Sequence, residues 1–326
     1  MNADILLSSG TNAKETRFLY QIRVCTPKTE KETGFLRSYC VSIFICVYLC
    51  SSVVPLSSPF LINMSQTPNL NNLFQTAQEE GLLSSASLQA LNVIDIGSQI
   101  QAGLGVSVDD VMASEVVLLT IMPDDSGSIA YSGNTQAVRD GHNAVLDALK
   151  NSKQRDNILA HNRYLNGHVL YPYCPIDRAV RMDAGNYQPN EGTPLYDQTI
   201  VLLGTVLAKS QEFADNGVPV RTITLIITDG ADEHSTKATA KNVASIVKDM
   251  LMAENHIIAA MGIDNGSTDF RKVFQEMGLR DEWILTPTNS TSEIRQAFQI
   301  FSQSAVRASV GAASFSQAAL GGFGSP

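Results

Sequence analysis

The sequence predicts an α/β fold: a Rossmann-like doubly wound sheet, mostly parallel with one antiparallel edge strand, and helices on both faces. Three observations point to it. From Val116 onward, short apolar runs alternate with segments of helical periodicity, the pattern of βαβ units. Val116–Met122 is apolar at nearly every position instead of alternating, as expected of a strand covered on both faces. Asn166-Gly167 sits between two extended runs in residues 158–173, a strong hairpin signal that supplies an antiparallel pair.

Taken in order, residues 69–80 and 84–94 read as two short helices with a Gly81 stop between them, Leu88, Leu91 and Val93 lining one face of the second. Residues 97–115, with Gly103 and Gly105, read as a linker and docking segment. After the first strand, Ala137, Val138, His142, Val145, Leu146 and Leu149 recur at helical spacing. Beyond the hairpin, the pattern gives a long helix over 195–213, a strand over 221–228, a helix over 236–254 and a strand over 257–263. Helix, strand and helix follow over 269–277, 283–286 and 292–307. The remainder, rich in Ala, Ser and Gly and without charge, is expected to be flexible. The domain plan is therefore an uncertain leader (1–63), a helical extension with its linker (64–113), the α/β domain (114–308) and a flexible tail (309–326).

With 44% apolar and 17% charged residues, the 326-residue chain is ordinary for a globular protein and long enough for a sizeable core. Its charge is uneven. Residues 1–63 hold six Lys and Arg against four Asp and Glu, which leaves 17 basic and 28 acidic residues in the remainder. An acidic body argues against nucleic acid as a partner, because neutralising phosphates takes clustered Lys and Arg. Cys25, Cys40, Cys46 and Cys50 all lie in the leader, so Cys174 has no disulfide partner in the body, which fits a reducing compartment. No cysteine and histidine spacing suggests zinc. Residues 39–54 are almost wholly apolar, and no charged residue occurs between Arg37 and Glu79. The run is short for a membrane span, which needs about 20 apolar residues. A membrane anchor, a secretory signal and an extension upstream of a true start at Met64 are all open readings. The abrupt change in cysteine use and charge favours the third, which makes the protein cytoplasmic; the others make it membrane-anchored or secreted.

Asp124-Asp125-Ser126-Gly127-Ser128 follows directly on the first apolar run. Hard divalent cations such as Mg2+ favour oxygen ligands, so Asp124, Ser126 and Ser128 on one tight loop make half of an octahedral site. Two later segments can complete it. Glu191-Gly192-Thr193-Pro194 places the Thr193 hydroxyl just before a long helix, and the run TLIITDG places the Asp229 carboxylate at a strand end. In open α/β sheets, ligands sit beyond the carboxyl ends of the strands, where strand order reverses, and all three loops lie at that end. Taken singly, Asp124 reads as a helix cap, Ser126 and Ser128 as turn residues, Thr193-Pro194 as a cap with a first-turn proline, and Asp229-Gly230 as a turn. Taken together they read as a metal site. Asp125, Asp232, Glu233 and His234 lie nearby in sequence and read as a solvated acidic loop, or, for Asp125, Asp232 and Glu233, as a partner-binding rim. His142, His161, His168 and His256 share no ligand spacing and read as core or surface residues.

With these three segments, the chain resembles a von Willebrand factor type A (VWA) domain over residues 114–308. Asp124, Ser126, Ser128, Thr193 and Asp229 match, position by position, that family's metal-ion-dependent adhesion site. The resemblance implies that the hydroxyls bind the cation directly, that the aspartates act largely through water, and that a Glu or Asp of a protein partner fills the open position. Pro123 departs from the pattern, since the family usually has an aliphatic residue there and proline offers no N–H to the sheet. The expectation is a non-catalytic protein-binding module that depends on Mg2+, with Mn2+ or Ca2+ as alternatives, similar to bacterial intracellular VWA adaptors. Two other readings remain. One is a membrane-anchored or secreted adhesion protein, with residues 39–54 as its anchor. The other is a metal-assisted hydrolase, against which stands the lack of a D-x-D phosphatase loop, a phosphate-binding G-x-x-x-x-G-K-[ST] loop, a G-x-S-x-G elbow and an H-E-x-x-H helix.

Overall fold

The computed structural model describes residues 69–91, 96–310 and 322–323, together with the backbone of three amino-terminal strands. The chain divides into two compact units, Met1–Asn63 and Met64–Pro326. In the first, β1 (Ile5–Leu6), β2 (Leu19–Thr26) and β3 (Tyr39–Cys46) pair antiparallel in that order. β2 and β3 are rich in β-branched and aromatic residues, which favour the extended chain. The first half of the apolar run read as an anchor or signal is thus a strand; residues 47–68, with the expected start at Met64, lie outside the described residues. Among the described residues, no helix is long and apolar enough to cross a membrane.

The second unit opens with α1 (Leu70–Glu79), α2 (Ser85–Leu91) and α3 (Ile96–Leu104). Then follow β4 (Val116–Met122), α4 (Gly127–Tyr131), α5 (Thr135–Lys150), β5 (Ile158–Arg163), β6 (Val169–Pro175) and α6 (Leu195–Asp215). β7 (Val220–Thr228), α7 (Ala240–Met252), β8 (His256–Gly262), α8 (Phe270–Glu276), β9 (Ile284–Leu285) and α9 (Thr291–Ser309) complete it. The sheet runs β6-β5-β4-β7-β8-β9, and every neighbouring pair is parallel except β5 with β6. The expected hairpin is that exception; Gly167 turns it at φ 90°, a conformation glycine adopts without strain.

Both sheet faces are covered, which explains the unbroken apolar strands. Along β4, Val117, Leu119 and Ile121 enter a core shared with Val138 and Val145 of α5 and Phe298 and Phe301 of α9. Leu118 and Met122 point to the other side, where α6 lies. There Leu73, Phe74, Leu91 and Ile100 of α1, α2 and α3 share one core with Leu203 and Val206 of α6 and Val247 of α7. The amino-terminal helices therefore sandwich α6 against the sheet, and α6 is apolar nearly all round, as a fully buried helix is.

Several expectations are corrected. Residues 97–115 are not a linker in their first half, because α3 runs through Gly97 and Gly103. Gly103 is where α3 meets its neighbours: a Cβ there would lie 2.6 Å from Thr205 Cγ2 and 3.0 Å from the His161 ring. Val93, expected on the face of α2, lies outside the described residues. α7 starts at Ala240 and not at residue 236, because the Asp197 carboxylate accepts the N–H groups of Thr236 (2.9 Å), Lys237 (3.1 Å) and Ala238 (2.6 Å). A reciprocal cap between Thr239 and Asn242 then begins the helix. In the tail, Ala308 and Ser309 belong to α9, and the Phe323 ring packs 5.1 Å from Trp283 while its N–H donates to the Glu282 carbonyl at 3.0 Å. Residues 311–321 and 324–326 lie outside the described residues.

Candidate metal centre

β4 and β7 are adjacent and parallel, with Met122 opposite Ile226, so the loops leaving their carboxyl ends start side by side. The chain steps outward from β4 through β5 and β6 and then returns to its other flank with β7, which places the strand-order reversal at this pair.

Asp124 is fully buried. Its Oδ1 accepts the Ser126 N–H at 2.7 Å and its Oδ2 accepts the Thr228 hydroxyl at 2.6 Å. Its carbonyl accepts the phenol of Tyr187, which is buried too. Burial pushes the Asp124 carboxyl above the usual carboxylate range, against the pull of the bonds from Ser126 and Thr228. Ser126 Oγ lies 2.9 Å from Ser128 Oγ, and Ser128 Oγ donates to Asp229 Oδ1 at 2.5 Å. Asp229 is 2% exposed, yet its Oδ2 has no hydrogen-bond partner. Burial pushes its carboxyl up to about 6; the Ser128 bond opposes this and the Asp124 charge adds to it.

The loop carrying Thr193 is laced to both others. Gly127 donates to the Glu191 carbonyl at 3.0 Å, and Asn190 and Glu191 donate to the Asp125 carbonyl at 3.0 and 3.1 Å. Thr193 donates its N–H to His234 Nδ1 at 2.9 Å, and its carbonyl accepts the N–H groups of Glu233 (3.2 Å) and His234 (3.3 Å). Its side chain rests on Gly230, where a Cβ would lie 3.5 Å from Thr193 Oγ1. Thr193 is accordingly not the cap of α6. That helix begins at Leu195, and its first free N–H groups are met by Asp232 Oδ1 (Tyr196 N–H, 3.2 Å) and Ser235 Oγ (Asp197 N–H, 2.9 Å).

The structure thus joins Asp124, Ser126, Ser128 and Asp229 through direct hydrogen bonds and sets Thr193 beside Gly230. It does not put Asp125 on a rim. Asp125 is 6% exposed, and its Oδ1 accepts both the backbone N–H (3.0 Å) and the amide (2.9 Å) of Asn166. Through these bonds Asp125 ties the hairpin to the metal loop. Burial also pushes its carboxyl up, opposed by Asn166. Asp232 is half-buried and spent on α6, whereas Glu233 is exposed. His142, His161 and His256 are buried and His168 is exposed. Sequence reading missed Thr228, Tyr187 and Asn166, which hold the loop. Thr228 carried a signal, a hydroxyl at the strand end beside Asp229; Tyr187 and Asn166 carried none.

The residues present fit a hard divalent cation. They offer carboxylate and hydroxyl oxygens, and one carboxylate oxygen is buried without a donor. Asp124, Ser126, Ser128, Thr193 and Asp229 offer side-chain oxygens alone, without the nitrogen and sulfur that softer ions favour, and among the described residues no group of three His, Cys, Asp or Glu converges.

No protein-family model matches the sequence, and no curated protein matches it. Solved structures align with part of the chain at low identity. The pilus adhesin SpaC from Lactobacillus rhamnosus GG is 12% identical with a TM-score of 0.43 over 60% of this chain, which spans only 30% of the adhesin's length. Proximal thread matrix protein 1 from the mussel byssus, solved with a zinc-occupied MIDAS motif, is 16% identical with a TM-score of 0.39, covering 59% of this chain and 46% of that one. The SpRpn10 VWA domain is 12% identical with a TM-score of 0.40, covering 57% of this chain and 94% of that one. With its strand order, its single antiparallel edge strand and helices on both faces, the second unit has a VWA-like α/β fold.

Proposed function

We propose that the chain is a non-catalytic, divalent-metal-dependent protein-binding module. In this reading Asp124, Ser126, Ser128, Thr193 and Asp229 hold Mg2+, Mn2+ or Ca2+ being able to take the same oxygens, and a protein partner offers a Glu or Asp. The observation that carries it is the buried Asp229 Oδ2, left without a donor on a carboxylate whose other oxygen binds Ser128. When bound, the cation supplies a positive centre for the partner's carboxylate. The chain's own residues prepare the place. Ser126 N–H and Thr228 hold both Asp124 oxygens, and Tyr187 pins the turn. The hydroxyls of Ser126 and Ser128, spent on each other and on Asp229, are the groups that can exchange those bonds for an ion. Binding is favoured over catalysis in this reading because His234, the histidine packed against Thr193, already spends Nδ1 on a backbone N–H. A cytoplasmic adaptor of the bacterial intracellular VWA type fits Cys174, a half-buried free thiol that burial pushes up in pKa and so keeps unreactive.

The test is affinity capture from lysate on the full chain, in Mg2+, in EDTA, and with Asp124→Ala in Mg2+. A partner held only by the unaltered chain with metal supports the reading. Equal capture in all three sinks it.

A further inference from the structure

We propose that the face around Asp124 and Asp229 receives a basic segment carrying a single carboxylate, with Tyr131 as the seat for an arginine or lysine of that segment. This rests on the reading of the site as a metal-dependent protein-binding centre and adds the chemistry of the partner.

Three exposed side chains frame the site. Tyr131 ends α4 and is 94% exposed, its ring lying along the metal loop, where a Cβ on Gly127 would sit 3.4 Å from Tyr131 Cε2. It makes no hydrogen bond or ring contact with any described residue, so the fold gives no reason for an aromatic there. An aromatic ring held in water on a short rigid element is what interfaces use as an anchor. Glu191 and Glu233 stand on either side of Thr193, Glu191 bridged to Ser126 and Glu233 donating its N–H to the Thr193 carbonyl at 3.2 Å. Both are exposed, and neither carboxylate is bonded to a described residue.

Charge balance selects the partner. The two charges of a divalent cation are matched by Asp124 and Asp229, and the buried Asp125 adds a third acidic group within electrostatic reach of Asp124. An incoming carboxylate therefore gains a coordination bond to the cation but no net positive charge from the surroundings, and Glu191 and Glu233 repel it. Lys or Arg a few positions from that carboxylate removes the repulsion, and a guanidinium can also lie over the Tyr131 ring. The acidic rim by itself would mark nothing. The buried Asp229 Oδ2 without a donor is what places a ligand at its centre.

The test is selection from a phage-displayed random nonapeptide library on the immobilised full chain in Mg2+, with elution by EDTA. Eluted peptides should carry Asp or Glu with Arg or Lys within three positions. Tyr131→Ala should weaken them about tenfold. The double variant Glu191→Lys, Glu233→Lys should reverse the preference, so that basic flanks weaken binding about fivefold, an effect that fades with salt. All three positions are exposed, and an unchanged Mg2+-dependent rise in Tm checks that the variants keep the site. Eluted peptides with no basic enrichment, or affinities indifferent to the double variant, overturn the proposal and leave metal-dependent binding standing. Failure to elute any peptide also overturns it, and if Mg2+ then leaves Tm unchanged, the metal-dependent reading falls as well.

Discussion

Asp229 is held in surroundings that favour its proton. Its folded pKa of about 6 lies above the 3.8 of an unperturbed Asp, so between those values the folded chain binds more protons than the unfolded one. Stability from this group is therefore complete below about 3.8 and is lost as pH rises through about 6. The gap between 3.8 and about 6 corresponds to about 3 kcal/mol, reduced by local screening to roughly 1–2 kcal/mol. Asp229→Asn keeps the acceptor for Ser128 and removes the charge. In EDTA at about pH 7.5 it should melt above the unaltered chain, and Mg2+ should no longer raise its Tm. Scanning fluorimetry reads both effects; a variant that melts lower in EDTA contradicts the account. Thr228→Val has the opposite sign, since it strips the donor from buried Asp124 Oδ2, and should cost about 1–3 kcal/mol in urea titrations and weaken Mg2+ in calorimetry. The candidate site residues are legible as residue types on loops that follow strands or precede a helix. Their supports are not: Tyr187 and Asn166 reach the loop across tens of residues by bonds that no periodicity encodes. Asp125 misleads because adjacency in sequence says nothing of direction.

Among the elements, α6 is the one that the rest of the second unit is arranged to hide. Its buried residues include Leu202, Leu203, Val206 and Phe213, and part of its cover comes from α1, α2 and α3. Leu73, Phe74, Leu91 and Ile100 of these helices are buried against it, and each buried side chain of that size contributes about 2 kcal/mol of transfer free energy before the cost of ordering the chain. A fragment of residues 114–310 should therefore be insoluble or unfolded, while residues 64–326 should give one cooperative transition. Calorimetry of both fragments decides, and an equally stable short fragment would show that the helices are dispensable. The long apolar helix is legible almost to its ends, expected over 195–213 and found as Leu195–Asp215. α3 is not, because its glycines weaken the helical signal and their reason lies in Thr205 and His161, which only the packed fold brings near. The start of α7 is hidden for the same kind of reason, since the carboxylate that holds the preceding loop belongs to Asp197 on α6.

At the scale of the whole molecule, the interior carries three neutral imidazoles. Burial lowers His142 to about 4, His161 to about 3 and His256 to about 4. Each lies below its unfolded value of 6.5, so the unfolded chain binds more protons in between, and this stability is complete above about 6.5 and lost as pH falls toward 4. Urea midpoints should drop steeply between about pH 6.5 and pH 4.5, each histidine contributing up to about 3 kcal/mol. Flat midpoints there would mean that the three rings are not buried neutral in solution. The class of the fold was readable from alternation and unbroken apolar strands, and the observed sheet bears it out. The position of β4 at the centre was not readable, because strand order depends on pairings between distant segments. Those pairings also set a clock. β4 finds one neighbour early, Val117 beside Ile158, but its other neighbour begins with Val220 opposite Val116. At roughly 5–20 residues per second of synthesis, the gap lasts on the order of 5–20 s. Through that interval an apolar strand has an open edge, so every newly made copy passes through a sticky adolescence before the two carboxylates meet.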